Sequence, residues 1–376
     1  MSDELTERQA LLVLNALPNI GPITLHRILD ELGGDPREVF AVSPKRLEGV
    51  RGVGPVISAT IAAWREHFNL EREEERMAKS GADFITARDE GYPKLLKEIN
   101  DAPIGLYRKG RYTFDRPCVA IVGSRRTTLY GMATAKKLGA ELARLGFCVV
   151  SGLARGIDTA AHEGALSVGG KTAGVVGCGI DIIYPPENLG LYREIEAAGA
   201  VLSEFPFGRR ADRQSFPMRN RVVAAMCEAT IVVETDVNGG AMITGRFAGE
   251  YGRLIFAVPG RIDQATSAGC HQLIRDGATL LTSVDDLLSE LNYLDGLRPA
   301  AIPAKESEKG SVAAVANLTA EEGAVWGCFA GGEIVTSDAA VGRTGLAPAK
   351  VSAALMMLEL KRLIAKRSDG AFEARG

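Results

Sequence analysis

Six short apolar runs recur through the middle of the chain, and stretches with helical periodicity separate them. The runs occupy residues 118–123, 147–152, 172–177, 200–204, 230–234 and 254–260. Continuous runs rich in β-branched residues are typical of strands buried on both faces, and helical spacers are typical of right-handed crossovers between parallel strands. The pattern predicts an α/β fold, a Rossmann-like, doubly wound and mostly parallel sheet, for a domain over residues 80–297.

Two similar segments precede this domain, and each places a Gly-Pro turn before an amphipathic helix. They are LPNIGPITLHRIL at 17–29 and VRGVGPVISATIA at 50–62. The repeat resembles a helix-hairpin-helix or SAM-like unit, which predicts a helical domain over residues 1–75. Such glycine turns can bring backbone N–H groups close to a DNA phosphate without reading the base sequence. Alternatively, the Gly-Pro pairs only mark where helices begin.

The composition of the chain changes after the predicted sheet domain. Residues 298–311 are rich in Pro, Ala and charge, and they predict a linker because such a segment buries too little apolar surface to fold. Residues 312–376 have the pattern of a winged helix, with a helix, a helix-turn-helix and a terminal hairpin. The expected apolar contacts of its last helix are Val351, Leu355, Leu358 and Leu363, and its basic end consists of Lys361, Arg362, Lys366 and Arg367. DNA binding and protein contact are both open for this domain.

The overall charge gives no global attraction to a polyanion. With 376 residues and a formal net charge of -3, the chain is expected to form two or three domains, and any nucleic-acid site must be a local concentration of Arg and Lys. The six cysteines include no C-x-x-C pair, which favours a reducing compartment and argues against structural zinc. The polar N-terminus and the lack of an apolar run of about 18 residues predict a cytoplasmic protein that does not span a membrane.

The residues directly after each apolar run are the candidates for ligand binding, because ligands of such sheets lie outside the carboxyl ends of the strands. After the first run, Gly123 and Ser124 form a turn toward a helix, and Arg125 and Arg126 supply two adjacent cations. A glycine turn before a helix offers unpaired N–H groups to an anion, and guanidinium groups suit phosphate oxygens. The segment lacks G-x-G-x-x-G, so it favours a phosphate of a nucleic-acid backbone or a free phosphate over a dinucleotide.

Further glycine turns follow the second, third and fifth runs. They contribute Ser151, Gly152, Arg155, Gly179, Gly239 and Gly240. Because these turns are expected at one edge of the sheet, together they predict a composite anion site.

The segment FPMRNRVVAAMCEA at 216–229 combines an aromatic residue with cations. Its candidates are Phe216, Arg219, Asn220 and Arg221. An aromatic ring offers a base a stacking face worth about 1–3 kcal/mol, and cations beside it suit single-stranded DNA. In the alternative interpretation, Phe216 belongs to the core and the arginines pair with acids such as Glu204 or Glu234.

Candidate catalytic chemistry is scarce. The sequence contains no Ser-His-Asp or Cys-His pairing, no H-E-x-x-H motif and no Walker glycine loop. Asp158 and His162 lie four residues apart, and we favour an ordinary helical pair over a catalytic one. The sequence therefore predicts a binding protein without a cofactor or metal rather than an enzyme.

Several motifs in series resemble the DNA-processing protein A family, also called DprA or Smf. In chain order they are GSRRTTLYG, SGLARGIDTAAH, GCGIDIIYP, SEFPFG, FPMRNRVVA, VVET with GGAMITGRFA, and AVPG with GCHQLIRDGA, over residues 92 to 288. The helical N-terminal unit and the winged-helix tail resemble those of the longer members. The resemblance implies a homodimer, formed through the Rossmann-like domain, that binds incoming single-stranded DNA during natural transformation, protects it and loads the RecA recombinase onto it.

The resemblance also implies a DNA-binding pocket and a mediator rather than a catalyst. By motif, the pocket residues are Gly123, Ser124, Arg125, Ser151, Gly152, Arg155, Phe216, Arg219, Asn220 and Arg221. The chain departs from many members at Pro186, where a basic residue is common, and at 238–241, where Ser-Gly-Ser is common.

Two other classes of protein share parts of this pattern. Lysine-decarboxylase-like nucleoside-monophosphate phosphoribohydrolases use glycine turns, an arginine and a late acid, for which Glu250 is the candidate, but their proline-glycine-glycine turn is not reproduced around 238–250. Turnover of adenosine monophosphate that is lost in Glu250→Ala would identify this class. A double-strand-binding regulator that acts through its winged helix predicts that deleting the residues after Pro299 abolishes DNA binding.

Overall fold

The computed structural model of the chain describes residues 5–294, 318–329, 333–367 and 369–374. The chain divides into two compact units, the first formed by Met1–Arg125 with Thr134–Arg298 and the second by Arg126–Ala133 with Pro299–Gly376. The N-terminal helices and the large sheet fall in the same unit. The predicted linker at 298–311 lies outside the described residues.

Helices build the N-terminal part of the first unit. They are α1 (Glu7–Ala16), α2 (Pro22–Glu31), α3 (Glu38–Ala41), α4 (Pro44–Leu47), α5 (Pro55–Ala62), α6 (Trp64–His67) and α7 (Leu70–Ser80). Gly21 and Gly54 are the N-caps of α2 and α5, so both predicted Gly-Pro turns begin helices. Proline suits this place because it lacks an N–H group that the first turn would leave unpaired. The apolar side chains of these helices share one buried core with sheet residues such as Tyr107 and Val201.

A sheet of nine strands forms the centre of the first unit. The strands are β1 (Asp83–Thr86), β2 (Gly105–Lys109), β3 (Cys118–Val122), β4 (Cys148–Ser151), β5 (Thr172–Val176), β6 (Ala200–Ser203), β7 (Ala229–Val232), β8 (Leu254–Ala257) and β9 (Thr279–Leu280). Their order is β1-β2-β6-β5-β4-β3-β7-β8-β9, with β3 to β9 parallel and β1 and β2 forming an antiparallel edge. The six predicted runs are β3 to β8, which confirms the doubly wound sheet; β1, β2 and β9 were not predicted.

Helices cover both faces of this sheet. They are α8 (Leu129–Arg144), α9 (Ile157–Leu166), α10 (Leu189–Ala198), α11 (Ser215–Ala225), α12 (Gly240–Glu250), α13 (Ala265–Arg275) and α14 (Val284–Glu290). In β3, Cys118, Ala120 and Val122 share a core with α11 to α13, whereas Val119 and Ile121 share a core with α8, α9 and α14. Because both faces of β3 are buried, its sequence is a continuous apolar run and does not alternate.

The strand order reverses between β3 and β7. From β3 the chain proceeds through β4, β5 and β6 on one side, whereas β7, β8 and β9 lie on the other. In a doubly wound sheet, the crevice at this reversal is where ligands bind, outside the carboxyl ends of the strands. The two carboxyl ends meet where the Ser124 N–H donates a hydrogen bond of 2.6 Å to the Glu234 carbonyl.

The second unit contains a winged-helix domain, as predicted. Its elements are α15 (Ala320–Gly327), β10 (Ile334–Val335), α16 (Ser337–Thr344), α17 (Pro348–Leu360), β11 (Ile364–Lys366) and β12 (Phe372–Ala374), and its strands form an antiparallel sheet in the order β10-β12-β11. The predicted contacts of α17 are buried: Val351, Leu355, Leu358 and Leu363. The predicted basic end is partly neutralised, because Lys361 pairs with Glu322 at 2.7 Å and Arg367 pairs with Asp369 at 3.2 Å.

In the part of the chain that the structure describes, no helix is both long enough and apolar enough to cross a bilayer.

Candidate nucleic-acid interface

A small pocket lies at the carboxyl ends of the central strands. Its lining residues are Arg125, Gly152, Ala154, Val176, Gly177, Cys178, Tyr184, Ala211, Phe216 and Arg219. Four of the predicted site residues, from two separate loops and α11, therefore meet in one place: Arg125, Gly152, Phe216 and Arg219. Their convergence brings a cation and an aromatic ring to the carboxyl ends of β3, β4 and β5.

Phe216 is the central ring of the pocket. The guanidinium carbon of Arg125 lies 4.8 Å from its ring centroid, which is cation–π distance. The ring of Tyr184 lies 5.9 Å from Phe216, with an angle of 43° between the ring planes. Phe216 is half-buried at the start of α11, so part of its ring faces the pocket instead of the core. An exposed cation beside accessible aromatic rings can hold a phosphate and a base at once.

Arg219 forms the floor of the pocket and is 5% exposed. Its Nη1 donates to the Gly152 carbonyl and, at 2.7 Å, to the Val175 carbonyl, and its Nε donates to Asn220 Oδ1 at 3.0 Å. Glycine at position 152 makes room for this arginine, because a Cβ there would collide with the Arg219 guanidinium and displace it. Arg219 thus links the carboxyl ends of β4 and β5 at the floor of the pocket.

Asp158 supports the same floor from α9. Its Oδ2 accepts hydrogen bonds from the Gly152 N–H at 3.1 Å and the Ala154 N–H at 3.3 Å. Burial raises the pKa of the Asp158 carboxyl, while the charge of Arg219 acts in the opposite direction. The buried side chains of Asp158 and Arg219 therefore hold the loop after β4 in place through hydrogen bonds to its backbone.

His162 forms its side-chain hydrogen bond with Thr172 of β5 and not with Asp158. Its Nδ1 lies 2.7 Å from Thr172 Oγ1, and that hydroxyl donates to the Val149 carbonyl, so Nδ1 carries the hydrogen. Burial lowers the pKa of His162 to about 3, which keeps the ring neutral near pH 7. These bonds give His162 a structural role.

The prediction of unpaired N–H groups at the first two glycine turns is wrong. The Ser124 N–H donates to the Glu234 carbonyl, and the Gly152 N–H donates to Asp158. In addition, α8 begins at Leu129 and does not follow directly on the Gly-Ser turn. Backbone N–H groups at a buried strand junction have to be paired, and here the protein itself pairs them. These two N–H groups are therefore engaged within the protein, and Arg125 is an exposed cation among the residues that line the pocket.

Arg221 lies in the interior, outside the pocket lining. Its Nη2 pairs with Glu204, and its Nη1 donates to the Asp101 carbonyl at 2.6 Å. Burial raises the pKa of the Glu204 carboxyl, and the Arg221 charge opposes that shift. The structural alternative, in which an arginine pairs with an acid such as Glu204, therefore describes Arg221.

Arg155 and Arg126 are exposed, and neither lines the pocket. Arg155 pairs with Glu187, and both side chains are 51% exposed. Glu187 raises the pKa of Arg155, and Arg155 lowers the pKa of Glu187. Arg155 thus stays charged, and its guanidinium is paired with the Glu187 carboxylate.

The remaining predicted residues shape the surrounding loops. The Asn220 Nδ2 donates to the Gly240 carbonyl at 3.3 Å, which ties α11 to the start of α12, where Gly239 is the N-cap. The Gly179 N–H donates to the Arg209 carbonyl at 2.8 Å. Two further residues lie against the protein interior: Gly123, whose Cα faces Ile157, and Ser151, whose hydroxyl donates to the Ile121 carbonyl.

One aromatic residue of the pocket lining was not predicted from the sequence, and one candidate acid lies outside the lining. Tyr184 lines the pocket but is not among the predicted site residues; the Tyr-Pro-Pro run after β5 is the signal in the sequence that could have identified it. Glu250, the candidate acid of the phosphoribohydrolase alternative, is the last residue of α12, about 15 Å along the helix axis from Gly240. Glu250 is not among the residues that line the pocket.

Comparison with known proteins identifies relatives of both units. The sequence model of the family described as DNA recombination-mediator protein A matches residues 83–292, and that of the DprA winged helix domain matches residues 309–370. The chain is 35% identical over 294 residues to Protein Smf of Synechocystis sp., covering 77% of this chain and 74% of the relative. It is 44% identical over 206 residues to DNA processing protein DprA of Streptococcus pneumoniae, covering 54% of this chain and 73% of the relative.

Two solved structures resemble the fold. The crystal structure of DNA processing protein A from Streptococcus pneumoniae matches with a TM-score of 0.64 and 34% identity, covering 76% of this chain and 98% of that one. A structure of DNA processing protein A from Helicobacter pylori, which concerns the single-stranded DNA binding mode of that protein, matches with a TM-score of 0.51 and 32% identity, covering 56% of this chain and 96% of that one.

Proposed function

Because the chain belongs to the DNA recombination-mediator protein A (DprA) family of DNA-processing proteins, we propose that it binds single-stranded DNA in the pocket around Phe216. The observation that carries the proposal is the Arg125 guanidinium 4.8 Å from the Phe216 ring, in the pocket at the carboxyl ends of β3, β4 and β5. A relative from Helicobacter pylori has a described single-stranded DNA binding mode.

The chemistry of the pocket suits an unpaired strand. An aromatic ring can stack only on a base whose face is accessible, which favours a single strand over a duplex. The guanidinium of Arg125 can bind the backbone phosphate next to that base. Neither contact reads the edges of a base, so binding is expected to tolerate any sequence.

The biological role follows from the family. We propose that the protein acts in the cytoplasm as a recombination mediator rather than an enzyme, protecting incoming single-stranded DNA and loading the RecA recombinase during natural transformation. A homodimer formed through the Rossmann-like domain is part of this proposal. In it, residues 80–297 bind the DNA, residues 1–75 form a helical domain, and residues 312–376 form the winged helix.

Fluorescence anisotropy with labelled oligonucleotides tests the DNA-binding proposal. The affinity for a single strand should exceed that for the corresponding duplex, and it should fall about seven- to twentyfold when salt rises from about 50 to about 200 mM, as expected if two or three phosphate contacts release counterions. Equal affinity for both forms, or an affinity insensitive to salt, would contradict the proposal.

Removing the negative charge of Glu187, which pairs with Arg155, should strengthen DNA binding. Glu187 pairs with Arg155 at the surface, and it would also repel a phosphate that approaches this guanidinium. Glu187→Gln is therefore expected to raise the affinity for a single strand about two- to fivefold, within the range of an exposed ion pair. The same anisotropy titration measures this gain.

Glu163→Gln is the matched control for that change. Glu163 pairs with Lys136 at 3.2 Å, the two side chains are 45% and 54% exposed, and neither lines the pocket. The control should leave the affinity unchanged. An equal gain in both variants would indicate a general effect of net charge and not a release of Arg155.

A further inference from the structure

Tyr184 is a second aromatic ring of the pocket, with no role in the proposed function so far. It lies 5.9 Å from Phe216, and 41% of its surface is exposed. Phe216 is the less exposed of the two, and the Arg125 guanidinium already lies near its ring. Tyr184 therefore presents the more open aromatic surface to a ligand.

The loop that carries Tyr184 is held in place on both sides of the ring. Before it, the Gly179 N–H donates to the Arg209 carbonyl at 2.8 Å. After it, the buried amide of Asn188 donates to the Leu153 carbonyl at 3.0 Å. An exposed ring on an anchored loop loses little conformational freedom when a ligand stacks on it, which makes it an effective binding surface.

Two exposed cations lie in the pocket or beside it. Arg125 contacts Phe216, and Arg155 directly follows Ala154, which lines the pocket together with Tyr184. A single strand alternates bases and phosphates along its length. A strand that stacks one base on each ring can thus place a phosphate near each cation.

We propose that Tyr184 is a base-stacking residue, which holds one base of the bound single strand beside the base that Phe216 holds. This inference rests on the proposed function, since it names a second base position in the same pocket. Stacking accepts every base but requires that a base be present. The position on Tyr184 should therefore be indifferent to base identity and sensitive to an abasic nucleotide.

A scan with single abasic positions tests this inference. Oligonucleotides just long enough to bind, each with one abasic site, are titrated against the wild-type protein and against Tyr184→Ala. In the wild type, removing the base that stacks on Tyr184 should lower the affinity about tenfold. In Tyr184→Ala, the affinity for the intact strand should fall by a similar factor, and removal of that same base should then cost nothing further.

Three variants complete the experiment. Tyr184→Phe keeps the ring and should retain the wild-type affinity and the abasic penalty. Tyr184→Leu keeps an apolar side chain without a π face, so it should lose both the wild-type affinity and the abasic penalty. This variant replaces Tyr184→Ala in the experiment if the alanine variant does not fold. Tyr293→Ala removes another exposed tyrosine, whose hydroxyl bonds to Glu228 at 3.1 Å, and should change neither.

The outcomes separate this inference from the proposed function. If the wild type binds a single strand but every abasic penalty persists unchanged in Tyr184→Ala and Tyr184→Leu, Tyr184 does not stack on a base and the inference fails alone. If the wild type does not bind a single strand at all, the proposed function itself fails.

Discussion

Arg125→Ala is expected to lower the affinity for single-stranded DNA about ten- to hundredfold, the range for a lost charge-assisted contact. Arg125 is an exposed cation of the pocket and lies against Phe216, so its loss removes a phosphate contact and the cation–π contact together. The dependence of affinity on salt should also weaken, by about 0.7 in the slope of log affinity against log salt. The reason is that the variant makes one phosphate contact fewer and therefore releases fewer counterions. Anisotropy titrations at several salt concentrations measure both effects.

Arg144→Ala is the matched control for this prediction. Arg144 is an exposed arginine at the C-terminal end of α8, and it precedes β4, so it lies at the opposite edge of the sheet. Its removal changes the net charge by the same amount and should leave the affinity nearly unchanged. Similar losses in both variants would mean that overall charge, and not the pocket, determines binding.

Arg221→Met is expected to lower the free energy of unfolding by about 3–5 kcal/mol, the usual cost of leaving a buried charge without its partner. Arg221 is 5% exposed, and its guanidinium pairs with Glu204 and bonds to the Asp101 carbonyl. Methionine keeps most of the apolar stem but leaves Glu204 uncompensated. Urea unfolding followed by circular dichroism at pH 7 measures the loss.

A second substitution distinguishes the buried pair from a DNA contact. Replacing Glu204 as well, in Arg221→Met with Glu204→Leu, removes the unpaired acid and should restore most of the lost stability. The folded double variant should then bind single-stranded DNA nearly as well as the wild type. A stable Arg221→Met variant with a large loss of affinity would instead place Arg221 among the DNA contacts.

Much of the fold could be predicted from the sequence because its signals are local. The central strands are buried on both faces, so each appears as an unbroken apolar run between glycine turns. The antiparallel edge was missed because β1 and β2 are short, and their place in the sheet depends on pairing between β2 and β6, almost a hundred residues further along the chain. Pairing over such a distance leaves no periodicity within either segment.

The candidate site was only partly predictable, and the arginines of α11 show why. Arg219 and Arg221 are two residues apart, which places them about 200° apart around the helix. One faces the carbonyl groups at the ends of β4 and β5, and the other faces Glu204. The two arginines of one motif thus have different roles, because opposite sides of the helix pack against different parts of the protein.

The sequence by itself determined the class of fold, the edge of the sheet that carries the loops, and the presence of an arginine and an aromatic residue there, because apolar runs, glycines and charges are properties of local segments. Only the tertiary structure decided which side chains reach the pocket. Burial of Arg219 and Arg221, pairing of the Ser124 N–H and exposure of Tyr184 all depend on groups from distant strands and helices. Polar groups enclosed by folding must find partners, and those partners exist only once the chain has folded.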